Sequence, residues 1–119
     1  MIGTRYWSTG IIVARHDANR WSAEVKFFDD GFCDNGSSEG VLRARYLGPL
    51  SHVVDLVKAD AERLGIRWGA TPDLQPSIYY DGDGERSDLP PPPPNWCALV
   101  NAEAARLGWR QCYAPEPKP

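Results

Sequence analysis

Residues 21–28, Trp-Ser-Ala-Glu-Val-Lys-Phe-Phe, alternate apolar and polar almost without fault. Trp21, Ala23, Val25 and Phe27 share one face, and Ser22, Glu24 and Lys26 share the other, the two-residue period of a half-buried strand. Upstream, residues 4–15 read as a first strand whose strongest part is Ile11–Ala14, with Gly10 as a bulge. His16–Arg20 supplies the turn between them. Downstream, Leu42, Ala44 and Tyr46 alternate with Arg43 and Arg45, so a third strand completes an antiparallel meander in which Glu24 can face one of those arginines.

The period then changes. Ser51 is placed to cap a helix, and Val53, Leu56, Val57, Ala61 and Leu64 form its apolar stripe at spacings of three and four. Gly65 stops this helix, and Ile66-Arg67-Trp68 opens a short strand. Ser77–Tyr80 is a fifth strand that ends in the turn residues Asp81-Gly82-Asp83-Gly84. After the prolines at 90–94, a stiff run without backbone donors, Asn95 caps a second helix with Trp96, Leu99, Val100 and Leu107 on its stripe. Gly108 stops it, and Trp109–Tyr113 reads as a last strand.

The two helix-and-stop units nearly repeat each other. Residues 56–68 and 99–111 align without a gap under the pattern LVxAxAxRLGxR, and the pairs Asp60/Arg63 and Glu103/Arg106 correspond. Such a repeat describes a scaffold more than a site. The expected fold is α+β: a mainly antiparallel sheet of five to six strands, beginning with the three-stranded meander, with two helices packed on one face. A chain of 119 residues suits one domain, expected over residues 1–113, with 114–119 as a disordered tail.

Composition narrows the function classes. Hydrophobic residues make up 42% and charged residues 24%, values ordinary for a globular chain and unlike a disordered one. No apolar run reaches the length a bilayer demands, and the N-terminus lacks signal-peptide character, so no membrane association is expected. The three cysteines, Cys33, Cys97 and Cys112, form no Cys-x-x-Cys and cannot all pair, which suits a reducing cytoplasm. Arginine exceeds lysine in the manner of a GC-rich bacterial or phage genome.

The charge distribution carries more than the net −3. Asp29, Asp30, Asp34 and Glu39 give one segment −4, and Asp81, Asp83, Glu85 and Asp88 against Arg86 give another −3. Taking that −7 from −3 leaves the remaining body at about +4 by formal count. Two acidic loops with Phe28, Phe32, Tyr79 and Tyr80 nearby suit a contact surface for a basic protein, because carboxylates steer a cationic partner and aromatic residues anchor it. The expected function is therefore a small cytosolic protein-binding or inhibitory module, of the kind that covers a basic site on a nuclease or toxin. Its contact residues would be Asp29, Asp30, Phe32, Asp34, Glu39, Tyr79, Tyr80, Asp81, Asp83 and Glu85.

Other chemistry is less favoured. Asp81-x-Asp83-x-Glu85 spaces oxygen ligands as a calcium loop does, but Arg86 and Pro92 stand where that loop needs glycine and glutamate. No metal or cofactor is expected. His16 and His52 sit in no nucleophile or metal motif, and Cys33 lies beside Asp34, which opposes thiolate formation. The alternative from another class is a small metal-dependent enzyme or ligand-binding domain using the same carboxylates. Nucleic acid is disfavoured by the acidic balance, although Lys26, Arg43, Arg45 and Arg15 with Tyr6 or Phe28 could line one sheet face. Nothing in the sequence speaks to the oligomeric state.

Overall fold

The structure, a computed structural model, describes residues 6–17, 19–29, 39–44, 46–69, 74–83 and 96–110. Its elements run β1 (Tyr6–Ser8), β2 (Gly10–Asp17), β3 (Arg20–Asp29), β4 (Glu39–Arg43), α1 (Leu50–Leu64), β5 (Ile66–Trp68), β6 (Ser77–Asp83) and α2 (Trp96–Leu107). The fold is α+β, and its six strands make one mixed sheet.

The registers reduce six strands to a sheet four strands wide. Glu24 pairs with Ile12 on one side and Arg43 on the other, and Phe28 pairs with Trp7 on one side and Glu39 on the other. Hence β1 and β2 follow one another along the same edge of β3, with β4 on the opposite edge. Tyr6 and Ile12 likewise place β5 and β6 end to end along the far side of β1 and β2. Both of those outer pairings are parallel, so the sheet is mixed, while the three pairings around β3 are antiparallel and keep it mainly so, as expected. Parallel neighbours need a crossover connection, and α1 provides it between β4 and β5.

Alternation places the core. Ile11, Val13, Trp21, Ala23, Val25, Phe27 and Ile78 are buried on the face that receives both helices. Helix α1 lies mainly over β3, and α2 over β6. Leu42 and Ala44 pack against this core from β4 and its continuation. Tyr46, expected inward, is exposed: the Ala44 N–H still reaches the Ala23 carbonyl at 2.8 Å, and the next described bond to β3 is at Gly48, whose carbonyl accepts from the Trp21 N–H at 2.8 Å, so Tyr46 lies outside the regular ladder.

The α1 stripe is shifted from the expected one. Val53, Val54, Val57 and Ala61 are buried, whereas Leu56 is half-buried and Leu64 exposed. Spacings of three and four fit both sets, and the angle at which the helix meets β3 selects the valine side. Helix α2 buries Val100, Asn101 and Ala104 and leaves Leu99 exposed. Pro49, not Ser51, occupies the cap position of α1, and no side chain caps it. The glycine stops behave as the repeat implies. Gly65 is left-handed, with its N–H on the Ala61 and Glu62 carbonyls, and Ile66 behind it is buried. Gly108 and Trp109 donate to the carbonyls of Ala105 and Ala104 at 3.1 and 2.8 Å. The expected strand at Trp109–Tyr113 does not form at Trp109 and Arg110, although the Arg110 N–H reaches the Pro76 carbonyl at 3.1 Å; its remaining residues lie outside the described ones. So do the proline run, Asn95 and residues 114–119.

Candidate functional site: the uncovered sheet face

The sheet has a second face that neither described helix covers. Trp7, Ile12, Ala14, His16, Ser22, Glu24, Lys26, Phe28, Val41, Arg43, Arg67 and Tyr79 alternate with the core residues and point there. Two cross-strand rows organise it. One runs Phe28–Trp7–Arg67 across β3, β1 and β5; the other runs Arg43–Glu24–Ile12–Tyr79 across β4, β3, β2 and β6. Arg67 holds its guanidinium 5.6 Å from the Trp7 ring centroid, and Arg43 pairs with Glu24 at 3.2 Å as the meander led us to expect.

Between these rows the ladder slips by one residue. Four residues, Ser8 to Ile11, lie opposite three, Val25 to Phe27. This is the bulge expected at Gly10, and it explains why the inward set changes from Tyr6 and Ser8 to Ile11 and Val13. The buried Ser8 hydroxyl donates to the Gly10 carbonyl at 2.9 Å and accepts from the Gly10 N–H at 3.1 Å, which pins the bulge. The neighbouring elements close on the same point. The Ser77 N–H reaches the Thr9 carbonyl at 3.0 Å, and the Gly69 N–H reaches the Ser8 carbonyl at 2.7 Å. A side chain at residue 10 would collide with the Ser77 carbonyl.

A cavity of about 320 Å³ opens on this face, lined by Thr9, Gly10, Ile12, Lys26, Phe28, Tyr79, Tyr80 and Asp81. Phe28 is 45% and Tyr79 36% exposed, high for aromatic residues within strands. Lys26 and Asp81 are exposed on its lining.

The sequence-derived contact residues fall as follows. Asp29 ends β3 and Glu39 opens β4, so both are strand ends and not loop residues. Asp81 and Asp83 lie in β6, which runs past the expected turn at 81–84 by accommodating a bulge between Tyr80 and Asp83 with Gly82 at φ +97°. Tyr79 faces the open side, whereas Tyr80 sets its ring edge-on to Trp21 at 5.9 Å on the core side. Asp30, Phe32, Asp34 and Glu85 lie outside the described residues. The two acidic segments leave the sheet at opposite ends. Asp29 marks one end of β3, while Asp83 pairs with Arg15, which pairs with Trp21, eight residues away along the same strand. At strand rise that is roughly 26 Å.

The residues considered for other chemistry are also placed. Lys26, Arg43 and Phe28 share the open face, but Arg15 is buried and Tyr6 packs edge-on against Phe27 at 4.8 Å on the core side, so neither contributes to a basic face. Arg45 lies outside the described residues. His16 Nε2 and Ser22 Oγ share a hydrogen bond at 2.8 Å across the β2–β3 hairpin, with no described carboxylate on either. His52 is exposed on α1, and Cys97 is a free, partly exposed thiol on α2. Among the described residues no three His, Cys, Asp or Glu side chains gather as a metal set. The charge pairs of the repeat form on the outer helix surfaces: Asp60 pairs with Arg63, and Arg106 binds Glu103 at 2.6 Å and reaches Asp55 of α1 at 2.8 Å. Hydrogen bonds to Glu103 and then Asp55 hold the Arg106 guanidinium above its ordinary pKa. That contribution is lost only as pH rises through the arginine range, so Arg106 adds no pH dependence near neutrality.

Sequence reasoning named Phe28, Tyr79 and Asp81, set Lys26 beside Phe28 only as part of a basic face and Gly10 only as a bulge, and missed Trp7 and Ile12. The alternation of β3 signalled this face through Glu24, Lys26 and Phe28, whereas Ile11–Ala14 are apolar at every position and give no sign of which side chains turn outward. Among the described residues no helix is long and apolar enough to cross a membrane. No protein-family model, curated protein or solved structure matches the chain.

Proposed function

We propose that this protein is a small protein-binding or inhibitory module whose contact surface is the uncovered sheet face together with the acidic segments at its two ends. The observation that carries the reading is the exposure of Phe28 and Tyr79 on the walls of one hollow in a sheet face that no helix covers among the described residues. Aromatic side chains held rigidly by strands lose little freedom on binding and dominate interface energetics. The acidic segment that starts at Asp29 and returns at Glu39 meets the sheet at one end, and the one that starts at Asp81 and Asp83 meets it at the other. A basic protein laid across the sheet would meet aromatic residues at the centre and carboxylates at both margins. The work is cytosolic on this reading, and needs neither cofactor nor catalysis.

The test is affinity capture from the source cells with three baits: the natural chain, a Phe28→Ala/Tyr79→Ala form, and a form with Asp29, Asp30, Asp81 and Asp83 all changed to Asn. A specific partner should fall at least tenfold with either altered bait. Identical partner lists for all three would overturn the proposal.

A further inference from the structure

We infer that the hollow over the β1–β2 bulge is an anchor pocket for one aromatic side chain carried on a basic segment of the partner. The inference rests on the protein-binding reading above and adds the chemistry of the guest. The pocket lies over the fold's most constrained point. Glycine is required at residue 10 because the Ser77 carbonyl crosses where a Cβ would sit, and beside it the open face holds a hollow lined by Phe28 and Tyr79. Ile12 supplies apolar floor beside Gly10. At about 320 Å³ the volume lies at the small end of ligand pockets, a size for one large side chain and not for an extended ligand.

The rim selects the guest by charge. Lys26, exposed and with no hydrogen-bond or ion-pair partner among the described residues, can lie over the face of an aromatic guest. Asp81, exposed and equally without such a partner, can accept a Lys or Arg next to that aromatic in the guest chain. Acidic neighbours in the guest would face Asp81 and the segment that begins at Asp29. The same charges disfavour a nucleobase as guest, because its phosphates would approach Asp81 and the acidic margins with Lys26 as the one cation lining the hollow among the described residues.

The experiment titrates the ¹⁵N-labelled full chain with the capped peptide Lys-Lys-Trp-Lys-Lys, with its Trp-to-Ala counterpart, with Glu-Glu-Trp-Glu-Glu and with a thymidine oligonucleotide. Saturable shifts of the Lys26, Phe28 and Tyr79 amides are expected with the Lys/Trp peptide, at an affinity at least tenfold above both other peptides. Tyr79→Ala and the plugging variant Thr9→Trp should each weaken that binding at least tenfold while keeping the unfolding midpoint of the natural chain. Equal binding of the Ala peptide, shifts confined to other residues, or tighter binding of the oligonucleotide to the same amides would overturn the inference. If capture shows a partner that depends on Phe28 and the four aspartates while the peptides show no preference for Trp, the protein-binding proposal stands and the anchor pocket falls.

Discussion

Gly10 sets the local geometry of the whole sheet. Three segments meet at it: the Ser8 hydroxyl bonds both its polar backbone groups, the Ser77 backbone lies against it, and Gly69 closes on the preceding carbonyl of Ser8. Changing it to alanine must push β6 away from β2 or unmake the bulge. Gly108 provides the comparison, because it is left-handed but open space surrounds the position of a Cβ. We expect Gly108→Ala to cost about 1–2 kcal/mol, the conformational term alone. Gly10→Ala should cost about 3 kcal/mol or more, since the clash is with backbone that cannot rotate aside. Urea unfolding of the two variants measures both; equal losses would show that β6 does not press on the bulge. Of this point the sequence carried the bulge but not the collision, since a break in alternation shows where a ladder slips and not which strand crosses there.

At the scale of elements, what was legible depended on whether the information is local. The β3 alternation, the Glu24–Arg43 pairing and both glycine stops are properties of neighbouring residues, and each is present in the fold. Which strands become neighbours is not local. The parallel docking of β5 and β6 on β1 and β2 depends on how far α1 carries the chain across the sheet, and no residue of Ile66–Trp68 encodes it. The helix stripe is an intermediate case. The spacing admits Leu64 and Val54 alike, and packing on β3 buries Val54 completely while Leu64 stays 44% exposed. Val57, fully buried at the centre of α1, should lose about 2 kcal/mol when cut to alanine. Leu64→Ala should stay within about 0.5 kcal/mol. Comparable losses at the two positions in thermal unfolding would restore the stripe read from the sequence.

For the whole molecule, the decisive fact is that the two acidic segments leave the sheet from opposite ends with the aromatic face between them. Their departure points are separated by roughly 26 Å along β3, about three times the Debye length near physiological salt. Neither end then screens or reinforces the other directly, and each acts on whatever part of a partner approaches it. A basic partner laid across the face should feel both ends, so Asp29→Asn/Asp30→Asn and Asp81→Asn/Asp83→Asn should each slow association, and their effects on the logarithm of the on-rate should add when combined. The dissociation rate should change little with the Asp29/Asp30 pair, more with the pair that includes Asp81 on the rim of the hollow, and most with Phe28→Ala or Tyr79→Ala, because charge at the margin governs encounter whereas the anchored ring governs residence. Stopped-flow or surface-based kinetics with the captured partner, run at two salt concentrations, separates these contributions. A partner sensitive to one aspartate pair alone would dock at one end of the sheet, and the continuous contact surface proposed across its open face would be wrong.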